Sequence, residues 1–127
     1  MKLAIDSNRY TDLFRGEPQV IAVVRSAQRV VLPFIVLGEL RAGFAAGNRK
    51  TENEAELMRF VRSPRVDVAH SDDDTATIYA QLWRQLRTQG TPIPTNDIWI
   101  AAVVLRHGLT LYSRDPHFAH LPQLPRI

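Results

Sequence analysis

The 127-residue chain contains no cysteine. That absence excludes disulfides, iron–sulfur clusters and thiolate zinc sites, and it fits a reducing compartment. The longest uncharged apolar run, Ile98 to Leu105, is far too short to span a bilayer, and the opening Met1-Lys2-Leu3-Ala4-Ile5-Asp6 lacks the apolar stretch of a signal peptide. Together these absences predict a cytoplasmic protein with no membrane partner. Lysine is nearly missing too, with Lys2 and Lys50 the only examples among sixteen basic residues. The net charge of +3 and pI near 9.8 point toward a polyanionic partner, although a GC-rich genome produces the same arginine bias without one. No internal repeat, linker or low-complexity stretch is present. At this length, with 45% hydrophobic residues, the chain fits one domain, residues 1–127, with its own core.

What is present is organised around Pro92-Ile93-Pro94-Thr95-Asn96-Asp97, which runs straight into Ile98-Trp99-Ile100-Ala101-Ala102-Val103-Val104-Leu105. The prolines set an extended approach, Thr95 or Asn96 is expected to cap the helix that follows, and that helix has no polar face until Arg106. A helix that is apolar all round belongs in the middle of a domain, so Asp97 is expected at the lip of a buried element. Short strands are expected at Lys2–Ile5, Arg29–Leu32, Arg65–Ala69 and Leu109–Tyr112. Helices are expected at 9–14, at 19–27, from Pro33 to a break at Gly43–Asn48, at 49–61 and at 75–87. The tail from Pro116 reads as a proline-punctuated loop with one short strand at its end. Strands alternating with helices imply parallel pairing and a sheet covered on both faces.

Four acids stand in apolar settings. Asp6 and Asp115 leave the carboxyl ends of the first and last strands, the edge where open α/β sheets bind ligands. Glu39 lies on the helix after the second strand, and Asp97 opens the buried helix. Three of them have a plainer alternative: Asp6 or Ser7 as a helix cap, Glu39 at the wet edge of an apolar stripe, Asp97 as a first-turn acid facing the helix dipole. If the four converge at one rim, their repulsion requires divalent cations or protons, and hard oxygen ligands suit Mg²⁺ or Mn²⁺. A site of that kind performs phosphoryl chemistry. Arg114 beside Asp115 and Arg41 beside Glu39 are candidates either for phosphate contacts or for plain surface roles. The run Ser71-Asp72-Asp73-Asp74 reads as a helix cap with first-turn acids. His117 and His120 hint at a transition-metal site, with a loop position as the commoner reading.

Leu3-Ala4-Ile5-Asp6-Ser7-Asn8, Val36-Leu37-Gly38-Glu39-Leu40-Arg41-Ala42-Gly43, Pro94-Thr95-Asn96-Asp97-Ile98-Trp99-Ile100-Ala101-Ala102 and Tyr112-Ser113-Arg114-Asp115-Pro116-His117-Phe118 resemble, in that order, the motifs of PIN-domain ribonucleases. They most resemble the VapC-type toxins of toxin–antitoxin pairs. The resemblance covers the chain from about Lys2 to its last residues. It implies a three-layer α/β/α sandwich on a small, mostly parallel sheet. It implies that Asp6, Glu39, Asp97 and Asp115 bind metal and carry catalysis, with Ser7, Asn8, Thr95 and Ser113 in support. It further implies a Mg²⁺-dependent endoribonuclease that acts on structured RNA such as tRNA or rRNA, forms a homodimer and is silenced by a VapB-type antitoxin.

Two other readings stay open from the residues alone. One is a small-molecule metal-dependent phosphatase; its aspartyl-phosphate version needs a second Asp two residues after Asp6, where Asn8 stands. The other is a non-catalytic module that binds RNA or protein, whose signature would be loss of one or more of the four acids.

Overall fold

The computed structural model describes residues 1–127. Strands β1 (Lys2–Ile5), β2 (Arg29–Pro33), β3 (Val66–Ala69) and β4 (Thr110–Tyr112) form one sheet in the order β3-β2-β1-β4, every pairing parallel. The central strands read as continuous apolar runs because both faces are covered. Leu3, Ala4, Ile5, Leu32 and Leu111 are accordingly buried. The edge strand β3 shows the alternation of a half-wet strand, Val66 and Val68 half-buried with Asp67 exposed between them. At the other edge the tail shields β4: the Leu111 amide donates to Pro125 O, and the Ile127 amide donates to Leu111 O. The expected terminal strand is thus a single parallel bridge, Leu111 to Arg126.

Helices α1 (Ser7–Phe14) and α2 (Pro18–Ser26) connect β1 to β2. Helices α3 (Phe34–Ala46) and α4 (Lys50–Val61) connect β2 to β3, and α5 (Asp73–Gln89) and α6 (Thr95–Arg106) lead to β4. The chain therefore steps outward from β1 to β3 and then crosses back to lay β4 on the far edge of β1. Right-handed crossovers put the outward and returning helices on opposite faces, giving the three-layer sandwich. Strand order reverses between β1 and β4, and in such sheets a crevice opens there, outside the carboxyl ends.

Helix α6 is the buried element that its sequence predicts. Ile98, Ile100, Ala101, Ala102, Val103 and Val104 are all buried, and half-buried Trp99 stacks on Tyr79 of α5 at 3.9 Å between ring centroids. Helix α5 starts at a capping box in which the Asp72 carboxylate accepts from the Thr75 amide while the Thr75 hydroxyl accepts from the Asp72 amide. It ends at Gly90, whose φ of 73° is the left-handed conformation that glycine adopts without a Cβ clash. Arg106 spans Asp72 and Asp74, so this acid run is a cap tied to the end of α6.

Several expectations need correction. Neither Thr95 nor Asn96 caps α6: the helix begins a residue earlier than expected, and Pro94 O accepts from the Asp97 and Ile98 amides. The expected break at Gly43 does not occur, since α3 runs on to Ala46 and stops at Gly47. Ala55, expected on the inward face of the helix at 49–61, is exposed, and so is Phe34 at the start of α3. On α4 it is Phe60 that turns inward, meeting Tyr10 and Phe14 edge-on. Part of the tail is helical as well, a 3-10 turn at Pro116–His120.

Candidate active site

Asp6 continues β1 by one residue, its amide donating to Tyr112 O of β4. It then caps α1, with Oδ1 accepting from the Ser7 amide at 2.8 Å. Its other oxygen receives the Ser113 hydroxyl at 2.6 Å and the Asn8 side-chain amide at 3.3 Å. The Ser113 oxygen in turn accepts from the Asn8 side chain and from the Asp115 amide at 3.1 Å. Asn8 Oδ1 accepts from the Arg114 amide. These bonds lace the loop after β4 to the loop after β1, across the reversal in strand order. Asp6 thus caps α1 with one oxygen and ties the loop after β4 with the other.

Asp97 lies in the first turn of α6, 7% exposed, and its Oδ2 meets His117 Nδ1 at 2.8 Å. The same nitrogen is 3.0 Å from Asp115 Oδ1, and that oxygen also accepts the His117 amide, which begins the 3-10 turn. Glu39 reaches the rim from the second turn of α3, half-buried, with Oε1 shut from solvent and unpartnered.

The electrostatics show that the four acids converge. Burial pushes the Glu39 carboxyl above its ordinary range, and the charges of Asp6 and Asp97 push it further; Asn96 and Ser7 offset part of this. Burial likewise raises Asp97, the His117 hydrogen bond opposes it, and the charges of Asp115 and Asp6 add to it. Asp97 and Asp115 thus cluster with His117, and Asp6 and Glu39 lie near enough for charge to act between Asp6 and Asp97 and on Glu39. Of the supporting residues, Ser7, Asn8 and Ser113 join this rim directly. Thr95 does not: it is exposed and lines a small separate cleft with Trp83, Arg87, Pro92 and Ile93.

The donor set fits a divalent cation. It is almost wholly hard oxygen, it concentrates negative charge in a partly dry rim, and it includes a buried carboxylate oxygen without a hydrogen bond. A shallow cleft of about 410 Å³ opens beside it, lined by Ser7, Asn8, Arg15, Glu39 and Arg114 among others.

Two further side chains join the rim, one only hinted at in the sequence and one not signalled there. His117 had a visible signal, its place two residues after Asp115, but nothing in the chain says that the 3-10 turn carries it back to Asp97. Asp12 had none. It is 7% exposed on α1, takes Arg114 bidentately at 3.0 and 3.2 Å and Arg9 at 3.3 Å, and its carboxyl is held below the usual range chiefly by Arg114. Arg41, two residues from Glu39, turns to α4 and pairs with Glu54 at 2.8 Å.

Residues 3–124 match the PIN domain family. The chain belongs to that family. Among relatives of this PIN domain, the VapC ribonuclease Y4jK of Sinorhizobium fredii is 31% identical over 121 residues, covering 89% of this chain and 86% of its own. Ribonuclease VapC4 of Mycobacterium tuberculosis is 28% identical over 93 residues, covering 73% and 72%. The fold matches VapBC-1 from nontypeable Haemophilus influenzae with a TM-score of 0.88 at 25% identity, over 100% of this chain and 97% of that one. FitAcB from Neisseria gonorrhoeae matches at 0.78 and 27%, over 98% and 96%. Within the PIN family the chain is of VapC type.

The raised carboxyls make the PIN domain's stability depend on pH. Between the unfolded values of about 4 and the higher folded values of Glu39 and Asp97, the folded state binds more protons, so stability falls as pH rises through that window. Asp12 and Asp72, held low by Arg114 and Thr75, contribute with the opposite sign: their stabilisation is lost as pH falls through their folded values. Comparing wild type with Glu39→Gln isolates the rim. Without divalent ions, Glu39→Gln should melt higher at neutral pH than wild type, with the gap closing toward pH ~4. Saturating Mn²⁺ or Mg²⁺ should stabilise wild type by about 2–3 kcal/mol at a hundredfold excess over Kd. A melting point indifferent to both ions would count against a cation site.

Proposed function

We propose that this PIN domain is a Mg²⁺- or Mn²⁺-dependent endoribonuclease toxin that cuts structured RNA such as tRNA or rRNA. In this reading it works in the cytoplasm as a homodimer and is silenced by a VapB-type antitoxin whose tail fills the cleft beside the acids. The observation that carries the reading is the convergence of Asp6, Glu39, Asp97 and Asp115 at the strand-order reversal, with Glu39 and Asp97 raised by burial and by their neighbours' charge. Relatives named as VapC ribonucleases, and neighbours solved as VapBC and FitAB complexes, support the RNA and antitoxin parts.

Asp6, Asp97 and Asp115 are the residues to hold the cation. Ser113 and Asn8 fix the Asp6 carboxylate, and the His117 amide fixes that of Asp115. Once bound, a divalent cation lowers the pKa of a water and stabilises charge on the phosphodiester oxygens. Glu39, whose carboxyl burial makes more basic, would take a proton from the attacking water. Asp12 holds the Arg114 side chain, half of it solvent-exposed, beside the cleft, where its remaining N–H groups can meet an RNA phosphate.

Incubating the purified chain with tRNA and rRNA tests this. Cleavage should require Mg²⁺ or Mn²⁺, stop with EDTA and stop again when the cognate antitoxin is added. In Arg114→Gln the slope of log affinity against log salt should fall by about one. Cleavage that survives chelation, or no cleavage with metal present, would refute the reading.

A further inference from the structure

We propose, resting on that reading, that His117 supplies a nitrogen ligand to the metal centre and makes the site prefer Mn²⁺ over Mg²⁺. His117 Nδ1 lies 2.8 Å from Asp97 Oδ2 and 3.0 Å from Asp115 Oδ1. A cation bonded to its ligands at about 2.0–2.1 Å in octahedral geometry places adjacent donors about 2.8–3.0 Å apart. The imidazole nitrogen is therefore already spaced from both carboxylate oxygens as a neighbouring ligand would be. One ligand atom from each of the three residues lies within 4.8 Å of the others, so a single ion can reach all three.

Three features hold the ring in place. The Asp115 carboxylate caps the turn that carries it, Pro116 starts that turn, and buried Phe118 anchors the turn in the core. Neither His120, which is exposed, nor any other histidine joins the cluster. Chemically, a neutral imidazole is a softer donor than carboxylate or water. It adds more to the binding of Mn²⁺ and later transition ions than to that of Mg²⁺, which favours an all-oxygen shell. In the metal-free protein the same nitrogen sits at hydrogen-bond distance from Asp97. An all-oxygen site would discriminate between the two ions less.

Pulsed electron paramagnetic resonance of Mn²⁺ on the full chain tests this, paired with calorimetric Mn²⁺ and Mg²⁺ titrations of wild type, His117→Ala and His117→Asp. Wild type should show the ¹⁴N coupling of a directly bound imidazole, and both variants should lose it. His117→Asp should still bind both ions, with the ratio of Mg²⁺ to Mn²⁺ dissociation constants reduced about tenfold. If His117→Ala folds poorly, His117→Asp carries the test alone. Mn²⁺ bound to wild type without nitrogen coupling, or variants that weaken both ions equally, would overturn the ligand role and reduce His117 to a positioning contact for Asp97. That result would leave the nuclease reading standing. No Mn²⁺ binding at all would overturn both.

Discussion

Asp97→Asn should lower metal-dependent RNA cleavage by about a hundredfold or more while leaving the protein folded, because each ~1.4 kcal/mol of lost transition-state stabilisation is a factor of ten. Asn keeps the size of the side chain and can still accept from His117 Nδ1, so the first turn of α6 and the 3-10 turn keep their contact. What goes is the negative charge that a cation needs. Asp97 is already raised by burial and by the charges of Asp115 and Asp6, so removing its charge relieves repulsion, and the metal-free protein should melt at or above the wild-type temperature. A residue that mattered only to the helix dipole would give the opposite pattern: activity kept, and stability reduced by about 1 kcal/mol or less. RNA cleavage and thermal melting measured on the same preparation separate the two. Wild-type cleavage by Asp97→Asn would end the nuclease assignment.

Ile100→Ala should be the most damaging conservative change to the fold, costing about 2–5 kcal/mol of a total stability of about 5–15 kcal/mol. Ile100 is 0% exposed in α6, with Ala101, Ala102 and Val103 equally buried beside it. A helix enclosed on all sides leaves its neighbours little room to relax into a cavity, which places the cost toward the upper part of that range. The site would suffer through the same element, because Asp97 stands one turn before Ile100 and depends on the placement of α6. Urea denaturation with an unchanged m-value and a lower midpoint is the expected result. A loss under ~0.5 kcal/mol, the size of an ordinary surface substitution, would mean that α6 is not the packed centre described here.

The elements themselves were readable because local chemistry dictates them. Consecutive apolar residues in Lys2–Ile5 and Arg29–Pro33 are those of strands covered on both faces, and Asp72 with Thr75 is a local cap. The run from Ile98 to Leu105 has no side that water could wet, so its burial follows from composition alone. The chain did not reveal one local backbone cap or the distant partners of two arginines. Pro94, through its carbonyl, set the start of α6 ahead of Thr95 and Asn96. Glu54 on α4 took Arg41, and Asp12 on α1 took Arg114.

By itself, the sequence determined an α/β chain with a buried helix and four carboxylates spaced so that a parallel sheet could gather them at one rim. Carboxylates at strand ends and in first turns mark positions along the chain, and a regular fold turns those positions into a place. Only the tertiary structure decided which polar groups complete that place. Ser113 reaches Asp6, and His117 reaches Asp97, across 107 and 20 residues of sequence. Nothing local encodes such contacts: they exist because β4 pairs with β1 rather than with β3, and because the turn after Asp115 folds back over the start of α6. The same pairing explains the electrostatics, since a carboxyl's pKa is set by its burial and by the charges that the fold brings near it, neither of which can be read from its neighbours in sequence.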